Sequence, residues 1–238
     1  MTDGSGIGAM DKTRRVPEPR ALADPVGIVF DFDGVIVESV DLKTDAFRAL
    51  FEHEPAHVEA IVAYHRHEPG MSRFEKFDHV YRHILKRPLE PAEREALGAR
   101  FAELVTKAVE CCPEVPGATA CLRAQLAAGR PAFVASATPE GELRRIVEAR
   151  GLTPYFRAVY GSPRSKAAIA RAIVDEYGGQ PADWWFVGDA MNDWRAAQAI
   201  GMTFIGRVKA GEPDAFPAET HRIPDLTTLL TGPTRPPA

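Results

Sequence analysis

The chain has 238 residues, of which 45% are hydrophobic and 26% are charged, and this composition excludes collagen-like, coiled-coil and intrinsically disordered proteins as descriptions of the whole chain. The formal net charge is 29 − 33 = −4, which argues against a nucleic-acid partner because phosphate backbones are bound by basic surfaces. No apolar run approaches the length of a membrane-spanning helix, so no membrane partner is expected.

The cysteines and the N-terminal segment predict a cytoplasmic protein. Cys111, Cys112 and Cys121 are odd in number and include an adjacent pair, a pattern that fits neither a disulfide framework nor a metal-binding CxxC knuckle. Free thiols of this kind are typical of a reducing cytosol. Residues 1–24 contain Gly, Arg and Pro but lack the apolar segment of a secretory signal.

The predicted elements begin with a short buried β-strand over residues 26–30, which ends at the turn Asp31-Phe32-Asp33-Gly34. Between residues 41 and 110, apolar side chains recur at helical spacing and predict four helices and no strand. Strands and helices then alternate, with strands at 131–136, 158–161, 184–187 and 203–205 and helices at 118–128, 140–150, 165–177 and 193–200.

This alternation predicts the α/β fold class, as a doubly wound parallel-sheet core of the Rossmann-like kind with an inserted α-helical domain. The core is expected to comprise residues 25–40 and 111–231, and the helical insertion residues 41–110. Residues 1–24 and 232–238 are expected to be a flexible N-terminal extension and a flexible tail.

Two carboxylates follow the first strand at positions i and i+2. Asp31 and Asp33 therefore leave the strand on the same side and face the same volume. Neighbouring carboxylates repel each other unless a cation joins them, and oxygen ligands at this spacing suit Mg²⁺. The pair predicts a magnesium site at the carboxyl edge of the sheet.

Further polar side chains follow later strands and are expected to converge on the same crevice. They are Ser136, Lys166, Asp189 and Asp193. Together these groups suffice for phosphoryl transfer, since a carboxylate such as Asp31 is a competent nucleophile for phosphorus. Lys166 and Ser136 would hold the phosphoryl oxygens, and Asp33 would exchange protons with the leaving group and the attacking water.

These four elements, in this order, resemble the haloacid dehalogenase-like superfamily of Mg²⁺-dependent phosphatases and phosphomutases. The family pattern has DxDG after the first strand, a Ser or Thr after the second, a Lys, and GDxxxD after the fourth. The resemblance covers residues 26–230, and the helical insertion stands where the family has its helical cap. It implies this family's fold and Mg²⁺ as the cofactor.

The resemblance also implies a role for each matching acid. Asp31 would be the nucleophile and a Mg²⁺ ligand, and Asp33 the general acid and base, binding the metal through its backbone carbonyl. Asp189 would be the third protein ligand, while Asp193 would support Lys166 or a metal-bound water.

The transferring phosphoryl group would be held by Ser136 and Lys166, with Gly34 in the same phosphate-binding set. Thr138 is the competing hydroxyl two residues after Ser136 and ranks below it.

Two basic residues of the helical insertion are further substrate candidates. Arg73, in the run Gly70-Met71-Ser72-Arg73, is similar in setting to the arginine with which the β-phosphoglucomutase-like branch reaches the distal anionic group of its substrate. Lys43 follows Asp31 by twelve residues, where sugar phosphomutases of that branch carry a proton-shuttling histidine. Lys43 would instead contact the substrate or remain solvated.

The expected function is a Mg²⁺-dependent phosphatase acting on a small phosphate ester, either a sugar phosphate or a phospho-acid, through an aspartyl-phosphate. A sugar phosphomutase of the same family remains an alternative, disfavoured by Lys43. A second alternative is a catalytically silent binding module with the same fold. The presence of all the acids of the family pattern disfavours it. The sequence leaves the substrate and the oligomeric state open.

Overall fold

A computed structural model describes residues 24–230, and its sheet has six parallel strands in the order β3-β2-β1-β4-β5-β6. The strands are β1 Gly27–Phe30, β2 Ala132–Pro139, β3 Ala158–Ser162, β4 Trp184–Gly188, β5 Thr203–Arg207 and β6 His221–Ile223. The first five were predicted. The sixth was missed because three residues, two of them polar, are too few to show an alternating pattern.

The described part of the chain has eight α-helices, which are α1 Val40–Leu50, α2 Val58–His67, α3 Arg73–His79, α4 Pro91–Cys111, α5 Ala118–Ala127, α6 Glu140–Ala149, α7 Lys166–Tyr177 and α8 Met191–Ile200. A π-helical segment, Val80–Leu85, continues α3. Helices α1 to α4 are the inserted cap, and this confirms the predicted fold class.

Within residues 24–230, no helix has both the length and the apolar character needed to cross a bilayer. Apart from Asp24, the extensions predicted at 1–24 and 232–238 lie outside the described residues.

Alternating strand residues build the two sides of the core. Ile28 and Phe30 belong to the apolar cluster that includes side chains of α5, α6 and the cap. Val29, between them, belongs to the cluster formed with α7 and α8. All three strand side chains are buried, as expected for a parallel sheet that is covered by helices on both faces.

The strand order places β1 beside both β2 and β4 at the centre of the sheet. From β1 the chain builds one half of the sheet through β2 and β3, and the other half through β4, β5 and β6. In sheets of this topology a crevice opens at the carboxyl ends of the strands, where the direction of winding reverses. The residues that follow β1 and β4 therefore lie together at this crevice.

Candidate active site

Asp31 lies at the carboxyl end of β1 and is only 3% exposed. Its Oδ2 accepts a hydrogen bond from Nζ of Lys166 at 2.7 Å, and its Oδ1 accepts one from the backbone N–H of Phe32 at 2.6 Å. Burial raises the pKa of Asp31, and despite the opposing effect of Lys166 it reaches about 7. The carboxylate is thus held in a fixed direction by its neighbours.

Asp193, in the first turn of α8, supports Lys166 from the other side. Nζ of Lys166 donates to Oδ1 of Asp193 at 2.5 Å, while Oδ2 of Asp193 accepts the backbone N–H of Ala190 at 3.1 Å. Gly188 is needed here because any β-carbon at this position would overlap the Asp193 side chain. Burial alone would lower the pKa of Lys166, but the two carboxylates outweigh it and raise that pKa.

Asp189, immediately after β4, points its carboxylate at the turn that follows β1. Gly34 in that turn has a φ of +74°, and a β-carbon there would overlap Oδ2 of Asp189. Among residues 24–230, no hydrogen-bond donor contacts the Asp189 carboxylate. Burial and the neighbouring charge of Asp31 raise its pKa well above the ordinary value.

These acids fit a divalent cation. Carboxylate oxygens of Asp31, Asp189 and Asp193 lie within 4.8 Å of one another. Both oxygens of Asp193 are already engaged by Lys166 and a backbone N–H, whereas Asp189 lacks any donor within the described residues. Asp31 and Asp189 are therefore the carboxylates suited to bind Mg²⁺, which prefers oxygen ligands.

Asp33 is surrounded by hydrogen-bond donors. Oδ1 accepts from Oγ of Ser39 at 2.6 Å. Oδ2 contacts Nζ of Lys43 at 2.6 Å, Oγ1 of Thr138 at 3.0 Å and Oγ of Ser136 at 3.3 Å. Burial alone would raise the pKa of Asp33, but Lys43 and the hydrogen bonds outweigh it and lower that pKa to about 2. The carboxylate is therefore ionised in this arrangement.

The second strand is longer than predicted. The sequence predicts that β2 ends at Ser136, yet the strand continues to Pro139, with an irregular register between Ala135 and Pro139. Ser136 therefore lies within the strand, and Thr138 follows two residues later, so that both hydroxyls reach Asp33. The pattern of apolar residues could not show this extension, because the polar Thr138 and then Pro139, a residue that is disfavoured in strands, occupy its end.

A cavity of about 430 Å³ lies between this edge of the sheet and the cap. This volume lies within the range that is typical of sites for small molecules. The core lines it with acids and hydroxyls, and the cap with mostly basic and aromatic groups. The lining residues include Asp31, Asp33, Lys43, Phe47, His65, Arg66, Arg73, Lys76, Phe101, Ser136, Thr138 and Asp189.

Arg73 lines the cavity, but its guanidinium is engaged elsewhere. Nη2 donates to Oε1 of Glu142, on core helix α6, at 2.8 Å, and both side chains are buried. The guanidinium carbon also lies 4.6 Å from the centre of the Phe101 ring. A contact between Arg73 and substrate stays a prediction. It would use guanidinium nitrogens other than Nη2, or would displace Glu142 from Nη2.

Two functional candidates were missed by the sequence reasoning. Lys76 is buried in the cap wall of the cavity, one helical turn after Arg73, and this spacing was the available signal. Arg207, at the end of β5, donates to the carbonyl of Gly34 at 3.0 Å and pairs with Glu38 at 2.5 Å. It anchors the loop that follows Asp31 and Asp33, and a lone arginine at a strand end gave no such indication.

Comparison with known proteins relates most of the chain to one group. The family of haloacid dehalogenase-like hydrolases matches residues 26–201. A phosphoglycolate phosphatase from Yersinia pestis is 26% identical over 187 residues, which cover 76% of this chain and 79% of that protein.

Solved structures share the fold. A mutant of CbbY from Rhodobacter sphaeroides in complex with xylulose-(1,5)-bisphosphate has a TM-score of 0.69 at 18% identity, covering 88% of this chain and 99% of that one. A β-phosphoglucomutase from Clostridium difficile has a TM-score of 0.64 at 16% identity, covering 78% and 85% of the two chains. Similarity at these identities is evidence for the fold alone.

Proposed function

Since the chain belongs to the haloacid dehalogenase-like hydrolase family, we propose that it is a Mg²⁺-dependent phosphatase that hydrolyses a small phosphate monoester. The observation that carries the proposal is the contact of Asp31 with Lys166 beside Asp189, at the floor of a small-molecule cavity. A nucleophilic carboxylate, a fixed cation and a second free carboxylate are the groups that phosphoryl transfer needs.

In the first step, an oxygen of Asp31 attacks phosphorus, and the bond between phosphorus and the leaving oxygen breaks. Nζ of Lys166, fixed by Asp193, stays beside the attacking group and stabilises the negative charge on the phosphoryl oxygens. The product is an alcohol and an aspartyl-phosphate on Asp31. Mg²⁺, held by Asp31, Asp189 and the backbone carbonyl of Asp33, would neutralise further phosphoryl charge and align the reacting groups.

In the second step, water attacks phosphorus and releases inorganic phosphate, restoring the Asp31 carboxylate. The donors around Asp33 keep that carboxylate ionised, which suits it to accept the proton of the attacking water. For the same group to protonate the leaving oxygen in the first step, its contact with Lys43 must open and the carboxylate must first take up a proton from solvent.

The substrate is proposed to be a phospho-acid or a sugar phosphate of a size that fits the cavity. Phosphoglycolate is the first compound to examine, because the Yersinia pestis relative is a phosphoglycolate phosphatase. The mutase alternative is less favoured because Lys43 forms an ion pair with Asp33 at 2.6 Å, where a mutase of the resembling branch carries a histidine. The cytoplasmic location stays a prediction from the cysteine pattern.

Release of inorganic phosphate from a panel of phosphomonoesters tests this function. We expect the purified protein to release phosphate from at least one of phosphoglycolate, glycerol phosphates and hexose phosphates. A chelator should stop the reaction and added Mg²⁺ should restore it. Isomerisation of a sugar phosphate without phosphate release would favour the mutase, and no reaction with any compound would favour the silent module.

A further inference from the structure

Lys76 is a buried cation in the wall of the cavity. Its side chain is on α3, the residue is 4% exposed, and it lines the cavity that Asp31 also lines. Nζ donates to the backbone carbonyl of His65 at 3.1 Å and lies 3.3 Å from Nδ1 of the same residue. It also lies 5.8 Å from the centre of the Phe47 ring. None of these neighbours carries a negative charge.

The other buried or half-buried cations at the site have carboxylate partners. Lys43 pairs with Asp33, and Arg73 pairs with Glu142. Lys166, beneath the cavity, pairs with Asp31 and Asp193. Arg66 also lines the cavity, but its side chain is exposed to solvent. Among residues 24–230, Lys76 is thus the buried cavity-lining cation without a carboxylate partner.

A buried ammonium without a counter-ion is unfavourable, because transfer from water removes its hydration. Burial, and then the nearby charge of Lys43, lower the pKa of Lys76 to about 7. An anion in the cavity would stabilise the charged form of Lys76 and so offset both its burial and its repulsion by Lys43. It would reach Lys76 without disturbing an existing ion pair, whereas the charge of Arg73 is already balanced by Glu142.

We infer that Lys76 binds a second anionic group of the substrate, a carboxylate or a phosphate, while the phosphoryl group to be removed lies at Asp31. This inference rests on the proposed function and narrows its substrate class to phosphomonoesters that carry another negative charge. His65 acts as a positioning residue, because its carbonyl and Nδ1 fix the direction of the Lys76 ammonium.

Two pairs of compounds isolate the second charge. Phosphoglycolate and ethyl phosphate differ in a carboxylate, and fructose 1,6-bisphosphate and fructose 6-phosphate differ in a phosphate. We expect the protein to prefer the more highly charged member of at least one pair. Lys76→Met should reduce that preference, measured as a ratio of kcat/KM values, by about 10- to 100-fold. Lys107→Met, at an exposed position of cap helix α4, is the matched control and should retain the preference.

Binding to an inactive protein separates this inference from the proposed function. Phosphoglycolate and fructose 1,6-bisphosphate are titrated calorimetrically into Asp31→Asn protein, with and without Lys76→Met. We expect the second substitution to weaken binding of at least one of them about 10-fold or more. Thermal unfolding checks the fold of each variant, and removal of the unpaired charge should raise the Lys76→Met midpoint.

Equal losses for both members of each pair, or unchanged binding of both compounds, would overturn the role of Lys76. Weakened binding without any phosphate release by the wild-type protein would support Lys76 as an anion site and contradict the phosphatase function.

Discussion

Two hydroxyl groups reach the same oxygen of Asp33. Thr138 is closer, at 3.0 Å, and also accepts a hydrogen bond from Lys43 at 2.9 Å. Ser136 donates to this oxygen over a longer distance, 3.3 Å, and its Oγ accepts the backbone N–H of Thr138 at 3.1 Å. The shorter contacts indicate that Thr138 stabilises the ion pair of Asp33 and Lys43. The longer contact of Ser136 makes its hydroxyl the better candidate to bind the phosphoryl group.

Ser136→Ala is accordingly expected to weaken competitive inhibition by inorganic phosphate by about 10-fold, since a hydrogen bond to a charged group is lost. Thr138→Val is the matched variant, and it should lower kcat while changing phosphate inhibition by less than about 3-fold. Steady-state kinetics with phosphate as inhibitor distinguish the two hydroxyls. The opposite order of effects would assign phosphate binding to Thr138.

His65 makes the stability of the cap sensitive to acid. Burial and the neighbouring Lys76 lower its pKa from 6.5 to about 3. Between these values the unfolded chain binds a proton at His65 and the folded chain does not, so the free energy of unfolding falls as the pH is lowered through this window.

His65→Asn keeps a polar side chain at this position but removes the titrating group. From about pH 6 to about pH 4, the free energy of unfolding should fall less steeply than in the wild type, by up to about 1.4 kcal/mol per pH unit. His67→Asn, at a largely exposed position two residues away, should retain the wild-type slope. Urea unfolding over this range measures both, and equal slopes for all three proteins would contradict the account.

Residues next to strand ends were predictable, whereas tertiary ion pairs were not. Asp31, Asp33 and Asp189 follow recognisable strands, and parallel strands bring their carboxyl ends together. Glu142 and Arg73 are 69 residues apart in sequence, and they meet only because α3 approaches α6. A basic residue at a helix start indicated a possible substrate contact but gave no information about this partner.

At the scale of elements, α3 joins the cap to the core. Its first turn is fixed by a capping box, in which Oγ of Ser72 accepts the N–H of Phe74 at 3.2 Å and Glu75 accepts the N–H of Ser72 at 3.2 Å. Arg73 then reaches Glu142 on α6. A second contact comes from α8, where Asn192 donates to the carbonyl of Gly70 at 2.9 Å.

Arg73→Met should therefore lower the free energy of unfolding by about 3 kcal/mol, because it leaves the buried Glu142 carboxylate unpaired. The double variant Arg73→Met, Glu142→Leu should recover most of this loss. Arg144→Met, which removes a partly exposed ion pair with Glu140 on the same helix, should change stability by less than about 1 kcal/mol. Urea unfolding provides the comparison, and a double variant no more stable than Arg73→Met would argue against the pair as the cause.

Most elements could be read from the sequence because their apolar residues repeat with clear periods. The four cap helices and five of the strands were found in this way. The π-helical segment Val80–Leu85 and the final strand β6 were missed. The π-helical segment continues an apolar helical pattern without interruption, so the sequence does not distinguish it from α3. Strand β6 is only three residues long, which is too short to show a pattern.

At the scale of the whole molecule, the sheet and the cap contribute different charges to one cavity. The core supplies Asp31, Asp33 and Asp189, which suit a metal ion and phosphoryl transfer. The cap supplies Lys43 and Lys76, two basic side chains that line the same cavity. The net charge of −4 therefore does not describe the local environment of the site.

The most direct test of the central claim compares phosphate release by the wild-type protein and by Asp31→Asn, with Mg²⁺ and with a chelator. The wild type should be active only with Mg²⁺, and Asp31→Asn should lose at least about 10³-fold of kcat while its circular dichroism spectrum stays that of the wild type. Phosphate release that survives in correctly folded Asp31→Asn, or in the chelator, would contradict a metal-dependent reaction through Asp31.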